Sequence, residues 1–201
     1  MLDTDLEIFC KNNFENEKQI ISKFIEYKKI LISENENMNL VGKSTIKDFD
    51  QRHLLDCIQI TKHMPDKTKK VMDIGTGAGL PGIVLSIIGF KNLHLVEKSP
   101  KKSIFLEKCK LRLGLNFSLH NQSISDISGL NIDYITARAF APISKILSLT
   151  KKIIHKKTIY ILLKGKNYLS ELDVLNDNGY QWETYPSITS KESKIIVMGM
   201  T

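Results

Sequence analysis

Cysteine is scarce in this chain. Cys10, Cys57 and Cys109 are its three, far apart and odd in number. No two stand at metal-ligand spacing, so a disulfide framework is excluded and a reduced, cytoplasmic protein is expected. The five histidines are scattered singly, and no metal site is expected, structural or catalytic. Long apolar runs are missing too. The longest, Ile83-Val84-Leu85-Ser86-Ile87-Ile88, is far short of a bilayer span, and the acidic start Met1-Leu2-Asp3-Thr4-Asp5 is no signal peptide. No membrane partner is expected. Arginine is the last shortage: only Arg52, Arg112 and Arg138 stand among many lysines.

What is present suits a globular enzyme. The chain has 201 residues, 42% of them hydrophobic, enough for one domain with an extension. A domain of this size buries roughly 70% of its unfolded surface. The formal charge of +7 admits a polyanionic partner. It is equally compatible with a chain rich in Lys, Ile and Asn throughout.

Periodicity divides the chain in two. Ile20, Ile21, Phe24, Ile25 and Leu31 recur at helical spacing and predict a helix from Phe14 to Leu31, followed by a polar loop over Ser33–Asn39. A second helix is predicted over Ile46–Met64, with Phe49, Leu54, Cys57, Ile58 and Ile60 inward and Pro65 as its stop. Residues 1–66 therefore read as an N-terminal helical extension. Residues 67–201 alternate strands and helices. Strands are predicted at Val71–Ile74, Leu93–Val96, Phe117–His120, Ile132–Thr136, Thr158–Leu163, Trp182–Tyr185 and Lys194–Met198. Helices are predicted at Pro81–Ile88, from Ser99-Pro100 to Gly114 with Ile104, Phe105, Cys109 and Leu111 packed, at Ile143–Ile154 and at Leu169–Leu175, the last closed by Asn176 to Gly179. The pattern predicts an α/β fold with a mostly parallel seven-stranded sheet. Its last two strands lack a crossover helix and form an antiparallel hairpin.

The glycine-rich stretch from Asp73 to Gly82 lies between a strand and a helix, where an α/β sheet binds its ligand. It fits two cofactor patterns. Gly77-Ala78-Gly79-Leu80-Pro81-Gly82 matches the dinucleotide spacing, and Asp73-Ile74-Gly75-Thr76-Gly77 the acid-x-G-x-G of S-adenosylmethionine binders. Glu97, at the next strand end, would serve the ribose of either. The late start of the first pattern, Pro81 inside it and the acid Asp73 where phosphates need N–H donors favour the second. Hydride chemistry finds no support in Tyr160 and Lys164, because four residues along a strand separate them by roughly 13 Å.

Several blocks carry a wider resemblance. They are Asn39-Leu40-Val41 with Arg52-His53-Leu54-Leu55-Asp56-Cys57; Asp73 to Gly82; Glu97 with Lys101-Lys102 and Phe105-Leu106; Asp133 to Phe140; and Leu163-Lys164-Gly165-Lys166. In this order the chain resembles the bacterial 16S ribosomal RNA guanine-N7 methyltransferases, also called glucose-inhibited division protein B. The resemblance implies a Rossmann-like fold dependent on S-adenosyl-L-methionine, and methyl transfer to a guanine N7 of 16S ribosomal RNA, free or in the small subunit, by a monomer. It implies cofactor contacts at Asp73, Gly75, Gly77, Leu80, Glu97, Ser123, Ile124 and Arg138. Ile124 stands where the family has an acid near the adenine. Lys101, Lys102, Arg138, Lys164 and Lys166 are the expected RNA contacts, while Lys151, Lys152, Lys156 and Lys157 are expected to be solvated at the opposite end. No catalytic acid, base or nucleophile is expected, because guanine N7 needs no deprotonation and the work is positioning. A methyltransferase for another substrate, or an assembly factor without catalysis, would share the same fold.

Overall fold

In a computed structural model describing residues 2–176 and 179–201, the seven expected strands form one sheet. They are β1 (Lys70–Ile74), β2 (Asn92–Val96), β3 (Ser118–His120), β4 (Ile132–Arg138), β5 (Ile154–Lys164), β6 (Tyr180–Pro186) and β7 (Lys194–Met200). Their spatial order is β3-β2-β1-β4-β5-β7-β6. The first five pair in parallel, and β7 is antiparallel to both β5 and β6. The expected hairpin is therefore present, with β7 inside and β6 at the edge. Strand order reverses beside β1, between β1 and β4. Ligands of such sheets lie beyond the carboxyl ends of the strands at that point, which puts the Asp73–Gly82 turn at the switch.

Both faces of the sheet are covered, which is why β1 reads Val71-Met72-Asp73-Ile74 without alternation and exposes none of them. One apolar cluster joins the sheet to α2 (Glu17–Met38), α4 (Gly82–Ile87) and α5 (Pro100–Leu113). The other joins it to α6 (Ile143–Thr150) and α7 (Leu169–Asn176). Leu6, Phe24, Phe49 and Leu54 of the extension belong to the same cluster as Ile83, Leu95 and Phe105 of the sheet layer.

The N-terminal layer departs from expectation. An unanticipated helix, α1 (Thr4–Asn13), starts where the Asp3 side chain accepts the Asp5 N–H, and it buries Leu6 and Cys10 one turn apart. The loop expected over Ser33–Asn39 is instead the last turn of α2, capped by Asn39 in the left-handed region. Its polar side chains line a solvated face, except buried Asn35, whose Oδ1 accepts the Val41 N–H at 2.8 Å and fixes the exit. The second predicted helix is helical but irregular. A wide turn over Asp50–Leu55 leads through α3 (Asp56–Ile58) to tight turns over Gln59–His63, and all five expected apolar residues are buried. Wide turns of this kind concentrate at functional sites.

Ile104 and Leu111 are 71% and 81% exposed, because Phe105, Leu106, Cys109 and Leu113 already fill the inward stripe of α5. The helix predicted to Ile154 ends at Thr150, and β-branched Ile154 opens β5. Of the turn expected to close α7, residues 177 and 178 lie outside the described residues.

Candidate active site

The turn after β1 is built on one buried carboxylate. Asp73 has no solvent exposure. Its Oδ2 accepts the Thr76 hydroxyl at 2.5 Å and the Gly82 N–H at 2.8 Å, and its Oδ1 accepts the Thr136 hydroxyl at 3.0 Å. Burial pushes its pKa up to about 6, against the pull of these three donors. Asp73 thus ties β1, the turn, the start of α4 and β4 together, rather than facing a ligand directly. Gly75 and Gly77 adopt φ of 63° and 58°, which favours glycine. A Cβ on Gly75 would also lie 2.1 Å from the Phe140 ring. From the far side, the buried Tyr27 hydroxyl of α2 donates to the Ala78 carbonyl at 2.6 Å.

Most backbone donors of this turn are already engaged. Thr76 N–H bonds Val96 O, Gly77 N–H bonds Glu97 Oε2, and Gly79 and Leu80 N–H both bond Thr76 O. Gly82 N–H goes to Asp73 and Ile83 N–H to Gly79 O. A diphosphate at a helix N-terminus depends on such amides. Here most of them are spent, and two carboxylates stand beside them. The donor set fits a cationic ligand without phosphate, as S-adenosylmethionine is. Glu97 is nearly buried and also accepts the Ser99 N–H at 2.8 Å, so its carboxylate is held at the end of β2 with lone pairs left for ribose hydroxyls. Leu80 is buried in the turn. Ser123 precedes the short turn Ile124–Asp126, and the Ile124 side chain is buried in the cluster beneath α6. The whole residue is almost fully buried.

Arg138 ends β4, and its fork is clamped from the N-terminal layer. Its Nη1 donates to Arg52 O at 2.9 Å and to Asp56 Oδ2 at 3.1 Å, and its Nη2 lies 2.7 Å from His53 Nδ1. His53 is buried, and burial together with Arg138 and Arg52 drives its pKa down to about 3. The imidazole is therefore neutral. Nδ1 accepts from Arg138, and Nε2–H donates to the Thr45 hydroxyl at 2.7 Å. Asp56 Oδ1 accepts the Thr189 hydroxyl, and the Gln59 side-chain Oε1 accepts the Ile188 N–H, which draws the β6–β7 connection into the same network. A cleft of about 820 Å³ opens here, between the wide turn, the end of β4 and that connection.

The lysines separate. Lys101 and Lys102 lie in the first turn of α5, and Lys166 is exposed beyond β5. Lys164 is not the free phosphate ligand expected for it. Its ammonium donates to Ala141 O at 2.6 Å and Glu171 at 2.7 Å, with the side chain only 11% exposed. Lys151, Lys152, Lys156 and Lys157 are exposed at the other end, as expected. Two cations on the cleft were not among the expected RNA contacts: Arg52, read in the sequence only as part of the Arg52–Cys57 block, and Lys194. Lys194 sits opposite Lys164 in the β5–β7 register, a pairing that only a β7-inside hairpin produces. Among the described residues, no cluster of His, Cys, Asp and Glu could hold a metal, and no helix is long and apolar enough to cross a membrane.

Comparison with known proteins agrees with this architecture. The profile of the GidB family, described as rRNA small subunit methyltransferase G, matches residues 20–193. A ribosomal RNA small subunit methyltransferase G from Orientia tsutsugamushi strain Boryong is 36% identical over 189 residues, covering 94% of each chain. One from Rickettsia akari is 37% identical, covering 90% of this chain and 95% of the other. Among solved structures, the magnesium protoporphyrin IX methyltransferase of Synechocystis, with bound S-adenosylmethionine, superposes with a TM-score of 0.63 at 16% identity over 87% of this chain and 97% of that one. The ribosomal protein L11 methylase of Lactobacillus delbrueckii gives 0.62 at 19% identity, covering 73% and 77%. These structures share the fold.

Proposed function

The chain belongs to the rRNA small subunit methyltransferase G family, and from that premise we propose that it methylates N7 of a guanine in 16S ribosomal RNA, using S-adenosyl-L-methionine. The observation that carries the cofactor half is the donor-poor, carboxylate-flanked turn: most of the amides that a diphosphate would require, those of Thr76, Gly77, Gly79, Leu80 and Gly82, are bonded within the protein. Gly75, Gly77 and Leu80 would line the cofactor, Glu97 would hold its ribose, and Ser123 with the Ile124 backbone would border its adenine. Asp73 acts through the turn it organises. S-adenosylmethionine, when bound, supplies an electrophilic methyl group on a sulfonium, whose positive charge ends on the base.

The protein's own part is positional. A neutral guanine offers an N7 lone pair, so no residue has to remove a proton first. The neutral His53 is locked between Arg138 and Thr45, which suits a brace and not a base. Holding acceptor and donor in line is worth about 7–11 kcal/mol in favourable cases. N7 lies in the deep, narrow major groove of A-form RNA, so the guanine must come from a loop or be flipped into the cleft. Arg52, Lys101, Lys102, Lys166 and Lys194 would meet the flanking phosphates, and Arg138 would shape the cleft wall. We take the protein to act as a monomer. Its work belongs where small subunits assemble, in the bacterial cytoplasm.

Borohydride–aniline cleavage followed by primer extension, on 16S RNA with and without the protein, is the test. We expect one new stop that depends on both protein and cofactor. Methyl incorporation into RNA with no such stop would remove N7 from the proposal.

A further inference from the structure

Phe140 has no task in the reaction as described so far. It stands two residues beyond the end of β4 and is 36% exposed, although it is a large apolar residue. Its ring lies against Gly75, closely enough that any Cβ there would strike it, and the ring also lines the cleft. It therefore sits at the seam between the cofactor turn and the acceptor cleft. The backbone around it is held from both sides. Arg138 is clamped by Arg52, His53 and Asp56, and Lys164 grips the carbonyl of Ala141. Between them Ala139 takes φ of 50°, a conformation rare for a side-chain-bearing residue and typical of functional sites. Burial does not account for this arrangement, because a ring serving the core would not stand at the mouth of a cleft. Among the described lining residues, Phe140 is the only one with a benzene ring; the others are mostly polar, charged or small.

A guanine taken out of its RNA loses the stacking of its neighbours and needs a new π surface. We propose that Phe140 is that surface: the target base stacks on its ring, with N7 turned toward the Gly75–Gly77 turn. The inference rests on the guanine reading above and names the residue that orients the base. It also accounts for an aromatic in place of an aliphatic. As the methyl group arrives, the base becomes cationic, and an aromatic face attracts a cation more than a neutral base. The contact therefore strengthens along the reaction, which is the condition for raising the rate rather than only the binding.

The test compares wild type, F140L and F140Y, each shown by thermal unfolding to be folded. Wild type is first scored for N7 methylation of 16S RNA or small subunits, so failure of the guanine reading shows in that arm alone. We then expect F140L to bind S-adenosylmethionine within about twofold of wild type by calorimetry, while its single-turnover rate at saturating RNA falls tenfold or more, within the range of a lost base–aromatic stack. F140Y restores the rate that F140L loses. Unchanged turnover in F140L, or a defect that resides wholly in cofactor affinity, overturns the proposal and leaves the ring as a plug on Gly75. A second measurement needs no variant to be active. In wild-type protein saturated with S-adenosylhomocysteine, 7-methylguanosine should shift the Phe140 ring protons upfield, and no shift overturns the stacking.

Discussion

Two buried groups at this site titrate in opposite senses. The folded pKa of His53, about 3, lies below the ordinary value of 6.5. Between these values only the unfolded chain takes the proton, so stability falls as pH drops below about 6.5. Asp73 is raised from 3.8 to about 6, so the folded state keeps its proton longer and stability falls as pH rises through that window. Substituting His53 isolates one slope from the other. H53Q should lose the acid sensitivity that His53 confers. Near pH 5 the two slopes oppose each other in wild type, and H53Q keeps only that of Asp73, so the stability of wild type relative to H53Q should rise with pH by up to about 1.4 kcal/mol per pH unit for one proton. Urea unfolding midpoints at pH 7.5, 6 and 5 measure the difference, and parallel curves would contradict a neutral His53. None of this was legible in the sequence. His53 and Arg138 are 85 positions apart, and nothing local marks either as the other's partner. The glycines were legible, because their spacing is local and a strand end followed by Gly75 and Gly77 has few other uses.

At the scale of elements, the cofactor turn is supported from outside its own strand and helix. Tyr27 of α2 reaches the Ala78 carbonyl with a fully buried hydroxyl. Y27F leaves that carbonyl without its donor, at a cost of about 1–3 kcal/mol. We expect a lower urea midpoint together with weaker S-adenosylmethionine binding by calorimetry. Lower stability at unchanged affinity would mean that the turn holds its shape unaided. The elements themselves were read from apolar pattern, and success followed how clean that pattern was. The strands stand out as short β-branched runs, and six of the seven begin within two residues of expectation. The end of α2 was missed because Glu and Asn look like loop residues, although a solvated helix face accepts them and Asn35 is a buried strut. Ile104 and Leu111 were placed inward because they are apolar, yet α5 had already filled its inner stripe.

For the molecule as a whole, the described residues 2–66 share their apolar cluster with the sheet layer. Ile83, Leu85, Leu95, Phe105 and Leu106 share one cluster with Leu6, Ile20, Phe24, Leu31 and Leu54. We therefore propose that the boundary at residue 66 is a seam in topology and not in folding. A fragment of residues 67–201 should lack a cooperative thermal transition and bind a hydrophobic dye, while the full chain melts in one step. A cooperative melt of the fragment would make the extension a separate unit.

The placement of β7 has a consequence for synthesis. β6 leaves the ribosome first, yet its only strand partner is β7, which comes later and must slot between β6 and β5. Until then the β5 flank is an unpaired ladder of amides and carbonyls, open to any passing extended peptide. Vectorial growth thus leaves a gap in the middle of the sheet that only the downstream strand can close. A nascent chain stalled between Pro186 and Lys194 would be the form most exposed to wrong pairing.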